Sequence, residues 1–562
     1  METSSNRTSA KRDERASLVR QVWEGQIDRR DFLRRAVALG IAPAVAATVF
    51  TTYRARPAAA SPTGRGSIRA DRRQDSSPTP TTGGTFRFGR GEDSVTFDPV
   101  ATFYNADIWL LQNVYEQLLR VAPNGTELEP SLATSWDIST DGLTYTFHLR
   151  PGVTFHDGSA LKASDVKFSM ERAKNDPNNI WTFTMVALEE VTTPDDATVV
   201  AKLNQPWAPF LADIAMFNCA VMPEAWAKGN EQRLPTEMNG TGPFAFAEFV
   251  KGEHVLLKKN SNYWDEGLPY LDEVNVIYVP DDNARILQLQ GGELDGMHNV
   301  PTSRVEELGG DENLQVLQFP SSYSQYMVFN HKADPLDDVN VRLALNYATD
   351  KQSLIQIVLF GNGVEATSFM PKGALYWNDE LPGFPYNLDT AKEYLAKSKV
   401  PNGFTIEFQY QAGNAEIEQL AAAVKDMWAQ INVEVAIAPT ELSVFNDNFS
   451  NESFQIMCTY WTNDIIDPDE LVAFAIEPKT ANAFHTSWTN AEAVDLAAKG
   501  RAEQDAEKRK QMYFRIQELF NQDAAMGLLY HKPFINVLSK NVHGFDQPPT
   551  GQWIWKETWI EQ

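Results

Sequence analysis

A chain of 562 residues exceeds what one hydrophobic core can fill, so two or three lobes are expected, and 43% hydrophobic residues with 14 Trp suffice to build them. The formal charge is −26, and the first eighty residues carry 15 Lys/Arg against 8 Asp/Glu, which leaves −33 on residues 81–562. A body that acidic repels a phosphate backbone; this argues against nucleic-acid binding and suits a soluble protein that attracts cationic groups. The two cysteines, Cys219 and Cys458, both stand in apolar surroundings and read as buried thiols rather than a disulfide.

At the amino terminus, Asp28-Arg29-Arg30-Asp31-Phe32-Leu33-Arg34 resembles the twin-arginine export motif. The apolar run 36–50 that follows is broken by Gly40 and Pro43. It falls short of the roughly 20 residues a membrane span needs. Ala58-Ala59-Ala60 then offers a small-residue cleavage site, so residues 1–60 read as an export signal. No cysteine follows the apolar run to carry a lipid. Residues 61–83, rich in Ser, Thr, Pro, Gly and Arg, read as a disordered linker.

The folded part opens with the alternating strand Thr85-Phe86-Arg87-Phe88-Gly89. Phe103-Tyr104-Asn105 reads as a loop, and the spacing over 108–119 predicts an amphipathic helix. Two strands around Asp141-Gly142 form a hairpin signal. Ser164 is the expected cap of a helix whose apolar content comes largely from Val166, Phe168, Met170 and Ala173. Gly240-Thr241-Gly242-Pro243-Phe244-Ala245 matches a dinucleotide loop only nominally, because Pro243 interrupts it; a turn feeding the strand 244–249 is expected. Downstream, residues 338–355 read as one helix, 415–428 as another, 433–437 as a strand, 505–520 as a charged amphipathic helix, and 527–530 as a late strand. The alternation of strands and helices indicates an α/β class.

The stretch Thr144 to Arg172, T-F-H-L-R-P-G-V-T-F-H-D-G-S-A-L-K-A-S-D-V-K-F-S-M-E-R at its core, closely resembles the signature of family 5 extracellular solute-binding proteins. These are the dipeptide-, oligopeptide- and nickel-type binding proteins of ABC importers. The resemblance recurs at Gly240 to Phe244, Asn260 to Trp264, Gly291 to Asp295, Asn330, and Asp337 to Leu345, and covers the chain from Gly84 onward. It implies a type II periplasmic-binding-protein fold, with two large lobes joined by two crossing strands plus a small inserted lobe. On that template lobe one takes residues 84–117, 223–317 and 526–562, the inserted lobe 118–222, and lobe two 318–525. The crossings near 318–325 and 524–530 are then hinge candidates. The implied role is a monomeric, exported substrate-binding component, periplasmic or on the outer face of the membrane. It would hand its solute, foremost a di- or oligopeptide, to an ABC permease and its ATPase subunits.

No catalytic constellation accompanies this. The eight His are scattered, and the two Cys make no metal set. There is no P-loop and no G-x-S-x-G elbow. No metal or cofactor is expected, and His148 and His156 read as hairpin packing. The strongest binding feature is Tyr460-Trp461-Thr462-Asn463-Asp464-Ile465-Ile466-Asp467-Pro468, a strand running into a loop, since Pro468 holds Asp467 extended. In peptide-binding relatives a W-x-x-D stretch supplies the aspartate that takes the ligand's amino group. Its match here is Asp464, with Trp461 walling the pocket and Thr462 and Asn463 offering backbone groups to an extended ligand. Phe103, Tyr104 and Asn105 lie where relatives contact the ligand's main chain. One departure stands out: where some oligopeptide binders carry an Arg three residues before the Trp, this chain has Cys458. Oligosaccharides, nickel or metal chelates, and an exported hydrolase on the same fold are the alternatives.

Overall fold

The computed structural model describes residues 79–179, 181–476 and 484–561. The export signal expected over 1–60 lies outside the described residues, as does the linker up to residue 78.

Three sheets organise residues 78–562, which form one unit. In the first, seven strands follow the spatial order Leu314–Phe319, Phe534–Ser539, Gly296–His298, Thr85–Arg90, Glu273–Tyr278, His254–Lys259, Phe244–Val250. Thr85–Arg90 sits inside this sheet, parallel to both neighbours, and alternation turns Phe86 and Phe88 into the core. There Phe88 meets Phe545, Trp553 and Trp555 at ring distances of 5.2–5.8 Å. Burying each such ring contributes about 1.5–3 kcal/mol.

The second sheet has six strands, ordered Val364–Glu365, Met526–His531, Ser324–Phe329, Ile456–Trp461, Phe404–Gln411, Val433–Thr440. Phe404–Gln411 is parallel to both its neighbours. The helix Ala415–Ala429, capped by the Asn414 side chain, supplies the crossover to Val433–Thr440. The third sheet is the antiparallel set Ala133–Ile138, Thr144–Leu149, Thr198–Leu203, Leu188–Asp195, covered by the helix Ala163–Asn175 with its own apolar core. The Asp141-Gly142 hairpin falls in it as expected, Gly142 taking φ +69°.

The chain crosses between the first two sheets twice, at residues 320–323 and at Lys532-Pro533. The crossings lie side by side: Ser321 Oγ donates to the Lys532 carbonyl. The strand Met526–His531, which the template assigns to lobe one, pairs with Ser324–Phe329 inside the second sheet. The second crossing therefore comes just after that strand rather than within it.

Several elements depart from local pattern. The helix expected over 108–119 runs instead over Asn105–Leu111. Its apolar continuation is diverted because Gly242 N–H and Phe244 N–H bond the carbonyls of Val114 and Asn113, and Leu119–Val121 pairs with Leu128–Pro130. Ser164 is not the cap: Lys162 occupies that position, and the Asp165 carboxylate reaches back to its N–H at 3.0 Å. The helix expected over 338–355 is two, Val339–Ala348 and Lys351–Val358. Asp338 and Asp350 cap them, and Thr349 between them is extended. Cys219 and Cys458 are both buried and free, and belong to different cores. His156 is a packing residue: its Nε2 lies 3.0 Å from the Gly242 carbonyl and its Nδ1 accepts from Gly240 N–H.

Candidate ligand-binding site

The strand Ile456–Trp461 lies antiparallel to Ser324–Phe329, with Trp461 opposite Ser324 and Ser324 in turn opposite His531. Its carboxyl end is thus brought to the crossings, and the loop that follows emerges between the lobes. Asn463 N–H bonds the Ser322 hydroxyl of the first crossing at 2.8 Å. Ile465 packs into the core of the first sheet. Asp467 then accepts the Asp469 N–H at 3.0 Å and starts the helix Asp469–Ile476. Arg509 grips the Asp467 carboxylate with both guanidinium nitrogens, at 2.8 and 2.9 Å, both side chains buried. A fork of this kind fixes the loop's far end.

The facing wall is Phe103-Tyr104-Asn105. Asn105 is the first residue of its helix, and Tyr104 occupies the cap position without a side-chain bond. The Phe103 and Tyr104 rings stack at 4.2 Å, yet stay 58% and 43% exposed, so they cover no core. Asn105 Nδ2 donates to Thr462 Oγ1 at 3.1 Å, joining the two expected segments across the lobes. The seven residues singled out in the sequence therefore lie on two facing loops. Their roles differ: Thr462 and Asn463 are buried structural members, while Asp464, Trp461, Phe103 and Tyr104 keep open surface.

Asp464 is half-buried, and among the described residues its carboxylate has no hydrogen-bonding or ion-pair partner. Desolvation pushes its carboxyl up to about 7. Beneath it lies Glu470, 2% exposed, in the first turn of the helix Asp469–Ile476. Glu470 accepts the N–H groups of Asp464 at 3.1 Å and Ile465 at 2.8 Å, and the Trp461 indole N–H at 3.3 Å. The Trp461 ring meets Phe474 and Phe484 edge-on at 4.9 and 6.2 Å. Burial first, then the Asp464 charge, holds the Glu470 carboxyl well above the usual range. Local pattern does not reveal Glu470; its one trace in the sequence is an acidic residue opening the apolar run Leu471 to Ile476.

Tyr460 and Tyr323 form the adjoining surface, stacked at 4.6 Å. Glu92, on lobe one, is solvent-exposed and close enough for its charge to act on Tyr460. Cys458 is buried and accepts a 3.4 Å contact from Gln325 Nε2, so a thiol and an amide meet in this corner. Lys532, whose ammonium lies 4.6 Å from the Tyr323 ring centre, is bonded to Glu416 at 3.2 Å. Among the described residues no group of three or more His, Cys, Asp or Glu is placed to hold a metal ion. No helix among them is long and apolar enough to cross a membrane.

Two sheet-bearing lobes, joined by paired crossings and meeting through polar loops, are the architecture of a protein that closes around a solute. The chain belongs to the bacterial extracellular solute-binding proteins of family 5, whose middle-region family model matches residues 127–482. It is 29% identical over 477 residues to the dipeptide-binding protein of Escherichia coli K12, covering 80% of this chain and 89% of that one. It is 30% identical over 500 residues to heme-binding protein A of Haemophilus influenzae, covering 83% and 90%. Among solved structures it resembles the ABC transporter-associated periplasmic binding protein DppA from Helicobacter pylori in complex with the peptide STSA. There the TM-score is 0.75 at 28% identity, covering 86% of this chain and 99% of that one. The chain is thus an extracytoplasmic solute-binding protein.

Proposed function

We propose that this protein captures a di- or oligopeptide by its free amino group and delivers it to an ABC permease driven by separate ATPase subunits. One observation carries the reading. Asp464, half-buried where the lobes meet and bonded to no cation among the described residues, is a carboxyl placed to receive an ammonium group. Removed from water together, the two make a charge-assisted hydrogen bond far stronger than a rim ion pair. The names of the dipeptide-binding and STSA-bound relatives support the peptide class. Trp461, Phe103 and Tyr104 supply apolar walls, and Glu92 and the −33 charge of the body favour a cationic ligand. The crossings at 320–323 and 532–533 are the proposed hinge. The role is capture without turnover, and export is by the twin-arginine route read in residues 28–34.

A thermal-shift panel tests the ligand class, because a solute bound only by the native fold raises the melting temperature. Peptides with a free amino terminus are expected to shift it, and the same peptides N-acetylated are not. Shifts confined to hemin, cello-oligosaccharides or nickel–histidine would overturn the peptide reading, and conversion of any ligand on incubation would overturn capture without turnover.

A further inference from the structure

Glu470 belongs to no segment that recognises a ligand by sequence, yet it holds the site together. One buried carboxylate accepts three N–H groups, those of Asp464 and Ile465 and of the Trp461 indole. These are the anchor, its neighbour and the wall of the pocket. The described charges around it are already committed. Asp467 is forked to Arg509, and Asp469 is held by Arg501 at 2.8 Å. Asp213 of the inserted lobe, facing Asp467 and Asp469, accepts from the Trp207 indole. The Tyr513 hydroxyl lies against Asp469 and Arg509. From lobe one the loop meets Asn105, Ser322 and the apolar core around Ile465, all neutral. Glu92 acts on Tyr460 rather than on this pair.

Glu470 takes the Asp464 N–H at 3.1 Å and feels the Asp464 charge, and two carboxyls so placed, in a desolvated corner with no cation bonded to either, do not both ionise freely. Three N–H donors converge on Glu470, and none on the Asp464 carboxylate. Those donors favour the charge on Glu470 against its own deeper burial, which leaves the pair's proton on Asp464, the member that faces the ligand space.

Taking Asp464 as the anchor, we infer that Glu470 is a positioning residue that also sets the anchor's charge: it orients Trp461 and the 464–465 backbone, and it shares one proton with Asp464, so that an arriving ammonium group displaces that proton. Binding is then an exchange: the Asp464 O–H bond breaks, the proton leaves to solvent, and the ligand's N–H takes its place. A neutral solute makes no such exchange, so only cationic ligands gain affinity as pH rises towards the midpoint.

The test reads the pair without a ligand. In the full-length chain, the Trp461 indole ¹⁵N–H resonance, assigned by its loss in Trp461→Phe, reports directly on Glu470. A titration step near neutrality is expected in the native protein. In Glu470→Gln and in Asp464→Asn that step should vanish or move down by at least one pH unit. A second arm uses trialanine between pH 5.5 and 7.0, where its amino group, with a pKa of about 7.7–8.0, stays mostly charged. Its affinity for the native protein should rise several-fold to tenfold per pH unit up to the midpoint, and stay within twofold for Glu470→Gln. A native indole resonance that does not titrate, or an identical step in all three proteins, overturns the inference even if Glu470→Gln folds poorly. Failure of trialanine to bind with the indole step intact speaks instead against the peptide reading.

Discussion

In the proposed site Asp464 and Trp461 divide the work of recognition between charge and shape, and the division has measurable consequences. Asp464→Asn keeps the volume and removes the ionisable carboxyl. For a peptide with a free amino group the expected loss is about 2–3 kcal/mol, roughly 30- to 150-fold in Kd by isothermal titration calorimetry. The melting temperature of the free protein should not fall, because the native state no longer holds a poorly solvated carboxyl. An unchanged Kd would remove Asp464 from the site. The proposed anchor could be read because the family resemblance places it on a short local pattern, an aromatic strand end running into Asp and Asp-Pro. Glu470 was not, because its meaning comes from three N–H groups that converge only after the loop folds back on its helix. Cys458 shows the same limit: sequence marks a missing cation there, and only the structure shows Gln325 filling the corner.

Among elements, two joints bear weight out of proportion to their size. The fork between Arg509 and Asp467 ties the long helix Ala506–Gln522 to the site loop. Arg509→Met leaves Asp467 beside Asp469 without its cation, and removal of one partner from a buried pair typically costs about 3–5 kcal/mol. A clear drop in melting temperature is expected, partly recovered by adding Asp467→Asn. The second joint is the turn at Gly240, where a Cβ would stand 2.1 Å from the Val114 carbonyl oxygen. Gly240→Ala must push the chain away from Val114, so poor folding or a lower melting temperature is expected, whereas Gly252→Ala, in open space, should tolerate the Cβ and pay only for its positive φ. Hairpins and long helices such as Ala415–Ala429 follow from local periodicity and capping. The ends of Asn105–Leu111 and the break at Thr349 do not, because backbone partners from distant strands and an indole bond from Trp428 to Thr349 override the helical pattern.

At the scale of the molecule, buried titratable groups shape stability against pH from both sides. Burial raises Asp464 to about 7 and Asp469 to about 6, and pushes Asp213 and Glu470 up as well. For these acids the folded state binds more protons than the unfolded one, so their contribution is full below the ordinary carboxylate range and is lost as pH rises, for Asp469 and Asp464 through about 6–7. Burial lowers His298, His331 and His531 to about 4. Their contribution is full above the unfolded value of about 6.5 and is lost as pH falls through 4. The melting temperature of the free protein should therefore peak at mildly acidic pH and decline towards pH 8, with the alkaline decline weaker in Asp213→Asn. A flat profile from pH 5.5 to 8 would contradict these assignments. The paired crossings carry a mechanical consequence. Two adjacent strands stapled by Ser321 and Lys532 form a ribbon, and a ribbon bends easily across its face but stiffly within its plane. On the proposed hinge, opening and closing follow one arc, so Asn105 returns to Thr462 in the same alignment on every cycle, and a ligand has only to hold the door rather than steer it.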